Sequence, residues 1–344
     1  MIITLTLNPS LDRTVDVERL ARGQVIRAAS SHVDPGGKGV NVTRALLANG
    51  VASRAVLTCG GDEGQHLVRL LQAEGVDPIC VRIAGHTRSN ITLAEPDGTI
   101  TKVNEPGPEV NAETFQQITD AVLAAVAAPT LPVESALAPG ASLADWVVVC
   151  GSMPPGLPVD SLMQLCRRLI ASDVRVAVDT SGPTLHAAAV SGAALLKPNR
   201  DELADVVGRS LSSIGDVVDA ARELRSWGAG AVLASLGADG AVLVDDDGII
   251  VGDAPVDRPR SAVGAGDALL AGFLAAGAKG ATALAEGLAW GAAAVSLPGS
   301  RMPGPRDLQR HLVRIQLPED IRLASSKEHD GRAPASLRTT PAES

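Results

Sequence analysis

Apolar and polar positions alternate along this chain with two different periods. Apolar runs at 2–7, 52–58, 76–83, 146–150, 174–178, 193–196, 230–235, 241–245 and 249–252 have the length and composition of strands. Between them, segments near 39–49, 62–74, 111–127, 158–172, 183–191, 199–208, 213–227, 265–277 and 281–296 carry helical patterning. This alternation predicts an α/β fold, a mostly parallel sheet with helices on both faces. Ligands of such sheets sit beyond the carboxyl ends of the strands, so chemistry is expected in the loops that follow strands.

Two stretches interrupt the pattern. Residues 12–34 hold short mixed runs without helical period. Residues 88–104 read as a hairpin, NITLAE and TITKVN around Pro96-Asp97-Gly98. Together they predict a small β-sheet lid over the main domain, with ordinary edge strands as the alternative. The proline-, alanine- and serine-rich segment 129–142 reads as a surface connector. Residues 324–344 contain a single leucine and no valine, isoleucine or phenylalanine, and are expected to be disordered. The folded domain is placed at about 1–320.

Composition narrows the function. Aromatic residues are 1% of the chain and tyrosine is absent, so the core must be built from Ala, Val, Leu and Ile. Thirty basic against 39 acidic residues give a net charge of −9. Such a chain offers neither the basic surface nor the rings that nucleic-acid binding needs. The longest uncharged apolar stretches, around 268–278 and 287–300, are broken by Lys279 or Pro298 and fall short of the ~18 residues that span a bilayer. The N-terminus, MIITLTLNP, alternates like a strand and does not read as a signal peptide. A soluble cytoplasmic protein is expected. Cys59, Cys80, Cys150 and Cys166 show no CxxC spacing and are expected as buried thiols, and the histidines form no metal-ligand pattern.

Five segments carry candidate chemistry. In SAVGAGDALLAGFLAAG at 261–277, Gly264, Ala265 and Gly266 lead into a helix with Asp267 in its first turn. A glycine turn at a helix N-terminus presents amides to an anion. A carboxylate beside it suits a base that takes a hydroxyl proton while the turn holds a transferring phosphoryl group. Aspartate is also a common helix starter, so the motif alone leaves both roles open. Neither GxxxxGK[ST] nor GxGxxG is present, since Leu269 occupies the last position of the latter. In DPGGKGVNVTRAL at 34–46, Gly36, Gly37, Lys38, Gly39 and Asn41 suit a phosphorylated, polyhydroxylated ligand, or form a plain strand-to-helix turn. Two glycine sites suited to anions fit a reaction between two phosphorylated ligands.

The other three segments are weaker. In NPSLD at 8–12, Asp12 can accept from vicinal sugar hydroxyls. In LLKPNRDEL at 195–203, Asn199 and Glu202 share a helix face and either hold Mg²⁺ through its waters or form a capping box. In ASLGADGAVLV at 234–244, Ser235 and Gly237 either line a nucleotide or belong to an ordinary hairpin.

Taken in order, these segments resemble the PfkB (ribokinase-like) carbohydrate kinase family over residues 1 to about 315. NPSLD, PGGKGVNV at 35–42, GSMPPG at 151–156, VDTSG at 178–182, KPN..E at 197–202, SLGADG at 235–240 and VGAGD at 263–267 carry the likeness. Lys38 within GGKG and VNEPGP at 103–108 look most like the branch acting on hexose phosphates, and within it the kinases of fructose 1-phosphate. The resemblance implies a three-layer α/β/α domain with a β-sheet lid, often shared across a homodimer. It implies Asp267 as base, with Gly264, Ala265 and Gly266 as anion hole and Arg88 in contact with substrate or transferring phosphate. Asp12, Gly36, Gly37, Lys38 and Asn41 would hold the sugar phosphate, with Arg27 as a further phosphate candidate. Lys197, Asn199, Glu202, Ser235, Gly237 and Gly240 would serve ATP, and Asn199 and Glu202 its Mg²⁺. The implied reaction is ATP-dependent conversion of fructose 1-phosphate to fructose 1,6-bisphosphate. Tagatose 6-phosphate or fructose 6-phosphate as acceptor, and a non-catalytic sugar-phosphate sensor, remain as alternatives. Ala262 and Ala234 depart from the residues common in relatives, Thr and Val, and the 129–142 connector looks longer than usual.

Overall fold

In the computed structural model, which describes residues 1–128 and 145–316, the two periods become strands and helices in the expected order. The first part of the chain forms β1 (Ile2–Thr6), β2 (Ser10–Asp16), β3 (Ser30–Gly36), α1 (Lys38–Ala48), β4 (Ser53–Cys59), α2 (Gly61–Ala73), β5 (Ile79–Arg82), β6 (Arg88–Ala94), β7 (Ile100–Asn104) and α3 (Ala112–Ala127). After the undescribed segment come β8 (Trp146–Cys150), α4 (Val159–Ala171), β9 (Arg175–Asp179), α5 (Pro183–Val190), β10 (Leu195–Leu196), α6 (Arg200–Val207) and α7 (Ile214–Ser226). The last part holds β11 (Ala231–Ser235), β12 (Ala241–Asp245), β13 (Gly248–Asp253), α8 (Ala265–Ala275), α9 (Gly280–Val295) and β14 (Arg314–Gln316). The expected connector at 129–142 and tail at 324–344 lie outside the described residues.

Ten strands make the main sheet, in the order β14-β13-β12-β11-β10-β9-β8-β1-β4-β5. It is parallel from β11 to β5 and antiparallel from β11 to β14. Alternate residues feed opposite layers, as a doubly covered sheet requires. Ile3, Leu5, Val147 and Val149 pack with α3, α4, α5 and α7, whereas Ile2, Trp146 and Val148 pack with α1, α8 and α9. The scarcity of rings is met by close helix approach. A Cβ on Gly272 would lie 2.8 Å from Trp290 Cγ, and one on Gly287 would lie 2.7 Å from Leu269 O, so glycine lets α8 and α9 touch backbone to backbone.

The lid is a separate four-stranded sheet, β3-β2-β6-β7. It begins at Ser10 and reaches Gly36, slightly wider than residues 12–34, because both ends continue the pairing. Ser10 and Asp12 of β2 stand opposite Arg88 and Asn90 of β6, which makes one face polar at the lid's root. Leu11, on the other face, packs with Leu57, Leu67 and Leu71 of β4 and α2 and anchors the lid to the body.

Two expectations are corrected. Cys59 and Cys80 are not both buried thiols. They are paired as a disulfide between neighbouring strands β4 and β5, with Cα atoms 5.8 Å apart and Cys80 exposed, while Cys150 and Cys166 remain free and buried. Their separation of 21 residues hides a contact that only strand pairing creates. The short strand β14 was not expected either, since three residues carry no period and pairing to β13 defines it. Among the described residues no helix is long and apolar enough to cross a membrane.

Candidate active site

The parallel strands deliver one cluster of charge to their shared carboxyl edge. Asp179 closes β9 and is fully buried. Its Oδ1 accepts from Lys38 Nζ at 2.7 Å, and Lys197 Nζ lies 3.0 Å from its Oδ2. Lys197 follows β10 and is itself buried. Lys38, at the start of α1, also donates to Glu202 Oε1 at 3.0 Å. Burial acts to lower the Lys38 pKa, but the charges of Asp179 and Glu202 and the hydrogen bonds to them win and hold it well above the ordinary lysine value.

Asp267 comes from α8, which packs on the same face of the sheet as α1. Gly264 takes a left-handed conformation (φ 76°), which turns the chain into α8 and leaves Asp267 in the first turn, 7% exposed. The first helical hydrogen bond here runs from Ala268 N to Gly264 O at 2.8 Å, so the Gly266 and Asp267 amides precede it and retain their donor capacity. A Cβ on Gly266 would stand 3.4 Å from Lys197 Nζ, which places that ammonium against the turn. Asp267 Oδ2 accepts from Asn41 Nδ2 at 2.8 Å. Burial pushes the Asp267 carboxyl up to about 6 and the Asp179 charge adds to this, while the Asn41 hydrogen bond and the ammoniums of Lys197 and Lys38 oppose it. The two glycine motifs, 226 residues apart at Asn41 and Asp267, therefore meet at one carboxylate.

The polar root of the lid lies beside the first glycine bend. Asp12 Oδ1 accepts from Ser10 Oγ at 2.7 Å and from Asn90 Nδ2 at 3.0 Å. A Cβ on Gly36 would come within 2.3 Å of that oxygen, so glycine is required for β3 to pass it. Arg88 Nη1 donates to Glu105 O at 3.1 Å, within the VNEPGP segment. Partial burial lowers the Arg88 pKa against the pull of Asp12 and Glu105. Among the described residues Arg88 Nε, Asn90 Oδ1 and Asn8 Oδ1 are buried without a hydrogen-bond partner, and Arg88 and Asn90 stand on neighbouring positions of the lid's polar face. Asn8 ties the segments together, since its Nδ2 donates to Pro106 O at 3.0 Å and Ser152 Oγ at 3.2 Å.

On the nucleotide side, Asn199 and Glu202 form the capping box of α6. Asn199 Oδ1 accepts from Glu202 N at 2.8 Å and Glu202 Oε2 from Asn199 N at 2.9 Å. Both groups keep spare lone pairs, so they fit a Mg²⁺ ion held through its waters. A direct ligand set is not assembled, since no group of three or more His, Cys, Asp or Glu side chains suited to a metal occurs among the described residues. Ser235 ends β11 beside Asn199, with which it forms a bridge, and Gly237 follows in a left-handed turn (φ 64°).

Three placements differ from the sequence expectation. Lys38 points to Asp179 and Glu202 rather than lying only along the sugar, because the buried Asp179 and the partly exposed Glu202 both draw its long ammonium toward them. Arg27 sits exposed in the 17–29 connection beyond Ser30, the far end of β3, which lies ~20 Å along the strand from Gly36, and among the described residues it has no hydrogen bond or ion pair to this cluster. Gly240 is held by hairpin geometry, since a Cβ there would lie 2.0 Å from Gly252 O. Sequence reading also missed Asp179 and Asn90. The aspartate of VDTSG at the end of a buried strand is the signal for the first; Asn90 lies in a hairpin and carries none.

The sequence pattern shared by the pfkB family carbohydrate kinases matches residues 5–306. The chain belongs to the pfkB family of carbohydrate kinases. The 1-phosphofructokinase of Rhodobacter capsulatus is 36% identical over 282 residues, 81% of this chain and 84% of the relative. The ATP-dependent 6-phosphofructokinase isozyme 2 of Escherichia coli (strain K12) is 35% identical over 315 residues, 90% and 97% of the two chains. The crystal structure of the Escherichia coli phosphofructokinase-2 in complex with substrates and products aligns with a TM-score of 0.79 at 34% identity, covering 89% of this chain and 96% of that one. Arabidopsis thaliana ribokinase, with a TM-score of 0.68 at 21% identity over 89% and 96% of the chains, shares the fold. The pfkB family resemblance read from the motifs is borne out, as is the ribokinase-like α/β fold.

Proposed function

We propose that this pfkB kinase transfers the γ-phosphoryl group of ATP to the free primary hydroxyl of fructose 1-phosphate, giving fructose 1,6-bisphosphate. The observation that carries this reading is the meeting of Asn41, Asp267 and Lys197 at the 264–267 turn. Asp267 takes the hydroxyl proton as the oxygen attacks phosphorus, and the γ-phosphoryl group leaves ADP toward the amides of Gly264, Gly266 and Asp267 and the Lys197 ammonium, the Ala265 amide being turned instead to Ala262 O at 3.4 Å. Lys38 faces the same centre and offsets the negative charge that gathers there. Asp12, Asn90 and Gly36 hold the sugar hydroxyls, and Arg88 meets a phosphate oxygen through its unpartnered Nε. Asn199 and Glu202 would hold Mg²⁺ through its waters, where the ion would offset charge on the nucleotide's phosphates, while Ser235 and Gly237 lie along ATP. Lid closure excludes water and limits wasteful hydrolysis.

Fructose 6-phosphate is the second reading, favoured by the isozyme 2 relative at nearly the same identity. A steady-state comparison of fructose 1-phosphate, fructose 6-phosphate and tagatose 6-phosphate with MgATP decides among them. The highest kcat/KM is expected for fructose 1-phosphate. A clear preference for either 6-phosphate would replace the first reading, and absence of ADP release with all three would leave only a sugar-phosphate sensor.

A further inference from the structure

We propose that Arg44 is a positioning residue of the reaction, fixing the Asn41 amide so that its Nδ2, and not its Oδ1, faces Asp267. The inference rests on Asp267 as the base. Arg44 is 6% exposed on α1, three residues after Asn41 and on the same helix face. Its guanidinium is gripped side-on by Glu74, from Nε to Oε2 at 2.6 Å and from Nη2 to Oε1 at 2.8 Å. That grip sets the plane of the fork and directs Nη1 inward. Nη1 then donates to Asn41 Oδ1 at 3.2 Å and to Ser300 O at 3.1 Å, with Pro35 O farther off at 3.5 Å.

The consequence is a choice between two nearly isosteric amide orientations. With Oδ1 held by Arg44, Asn41 can only donate to Asp267, which favours the ionised carboxylate that a base requires. With Arg44 gone, the amide is free to turn over and accept a hydrogen bond from the neutral Asp267 carboxyl, which favours the inactive form. The other charged or titratable groups facing Asp267 are Asp179 at the end of β9, Lys197 after β10, Lys38 at the start of α1 and the buried Cys150 thiol at the end of β8. None of these touches the Asn41 oxygen. The Ser300 contact has a related effect, because Met302 of the same segment backs Gly264.

The test is the pH profile of kcat/KM for the sugar phosphate with MgATP, measured for the wild-type enzyme and for Arg44→Met, Arg44→Lys, Asn41→Ala and the double variant Arg44→Met/Asn41→Ala. Arg44→Met is expected to lower kcat by roughly 10-fold and to move the acidic limb upward by about half a unit to one unit, with the KM for MgATP nearly unchanged. Asn41→Ala should move the limb the same way, and adding Arg44→Met to it should move it no further. Arg44→Lys keeps the charge but cannot span Glu74 and Asn41 together, so its limb should remain displaced. Activity lost by one constant factor at all pH values, losses that multiply in the double variant, or a limb restored by lysine would each overturn the proposal. Should Arg44→Met not fold, Arg44→Lys and Glu74→Gln carry the test, and unmoved limbs in both would overturn it. Near-normal turnover of Asp267→Asn would instead remove the base on which the inference stands, whatever the Arg44 variants do.

Discussion

Asp267 is one carboxylate under two opposed influences. Burial and Asp179 raise its pKa to about 6, and Asn41, Lys197 and Lys38 restrain the rise. A base must be deprotonated to work, so kcat/KM is expected to fall as pH drops through that region. Asp267→Asn should lower kcat by on the order of 10²–10⁴ with smaller changes in KM. The same shift has a stability consequence with a defined sign. The folded-state pKa lies above the unfolded one, so protonation favours the fold, fully below about 4 and no longer above about 6. Asp267→Asn removes the buried charge at all pH values. Its unfolding free energy should therefore gain on that of the wild type as pH rises from about 4 to about 8, by at most ~3 kcal/mol, which denaturant unfolding at each pH checks. A constant offset across that range would mean the carboxyl is not held back by burial.

At the scale of elements, the sugar and the nucleotide are served by different parts of the fold. Asp12 and Arg88 belong to the lid strands β2 and β6, whereas Lys197, Glu202 and Ser235 stand on the body at β10, α6 and β11. A change at the root of the lid should therefore separate the two Michaelis constants. Gly36→Ala would put a methyl group 2.3 Å from Asp12 Oδ1 and push that carboxylate out of its bonds to Ser10 and Asn90. The KM for the sugar phosphate is expected to rise by roughly 10-fold while the KM for MgATP stays within about two-fold. Equal movement of both constants would place Asp12 away from the sugar.

Across the whole molecule, the lid carries more apolar surface than one chain covers. Leu11 and Val33 on the face opposite Asp12 pack on the body, but Val15, Ile91, Leu93 and Val103 continue that face toward the far edge, and Val103 is 55% exposed, as Val25 is at 86% in the β2–β3 connection. We expect a second copy of the chain to cover this face, lid against lid, as a homodimer. Sedimentation should report a dimer at micromolar concentration, and Val103→Glu should shift it to monomer and raise the sugar KM without unfolding the exposed edge strand β7. A wild-type monomer would remove the lid-mediated assembly.

Local chemistry determined a large part of this protein. The two periods located the strands and helices because side-chain direction repeats within each element, and the glycine turns before α1 and α8 were visible because left-handed backbone and close approach demand glycine where they occur. Asp267, Asp12 and the Asn199–Glu202 pair were legible as residues, each with its alternatives. Tertiary structure alone decided their partners. Lys38 reaches Asp179 and Glu202 across 141 and 164 positions, Cys59 pairs with Cys80 through neighbouring strands, and Arg44 turns toward Asn41 because Glu74 grips it from another helix end. Such contacts depend on which buried charge finds which counter-charge once the layers pack, and no local period along the chain encodes that choice.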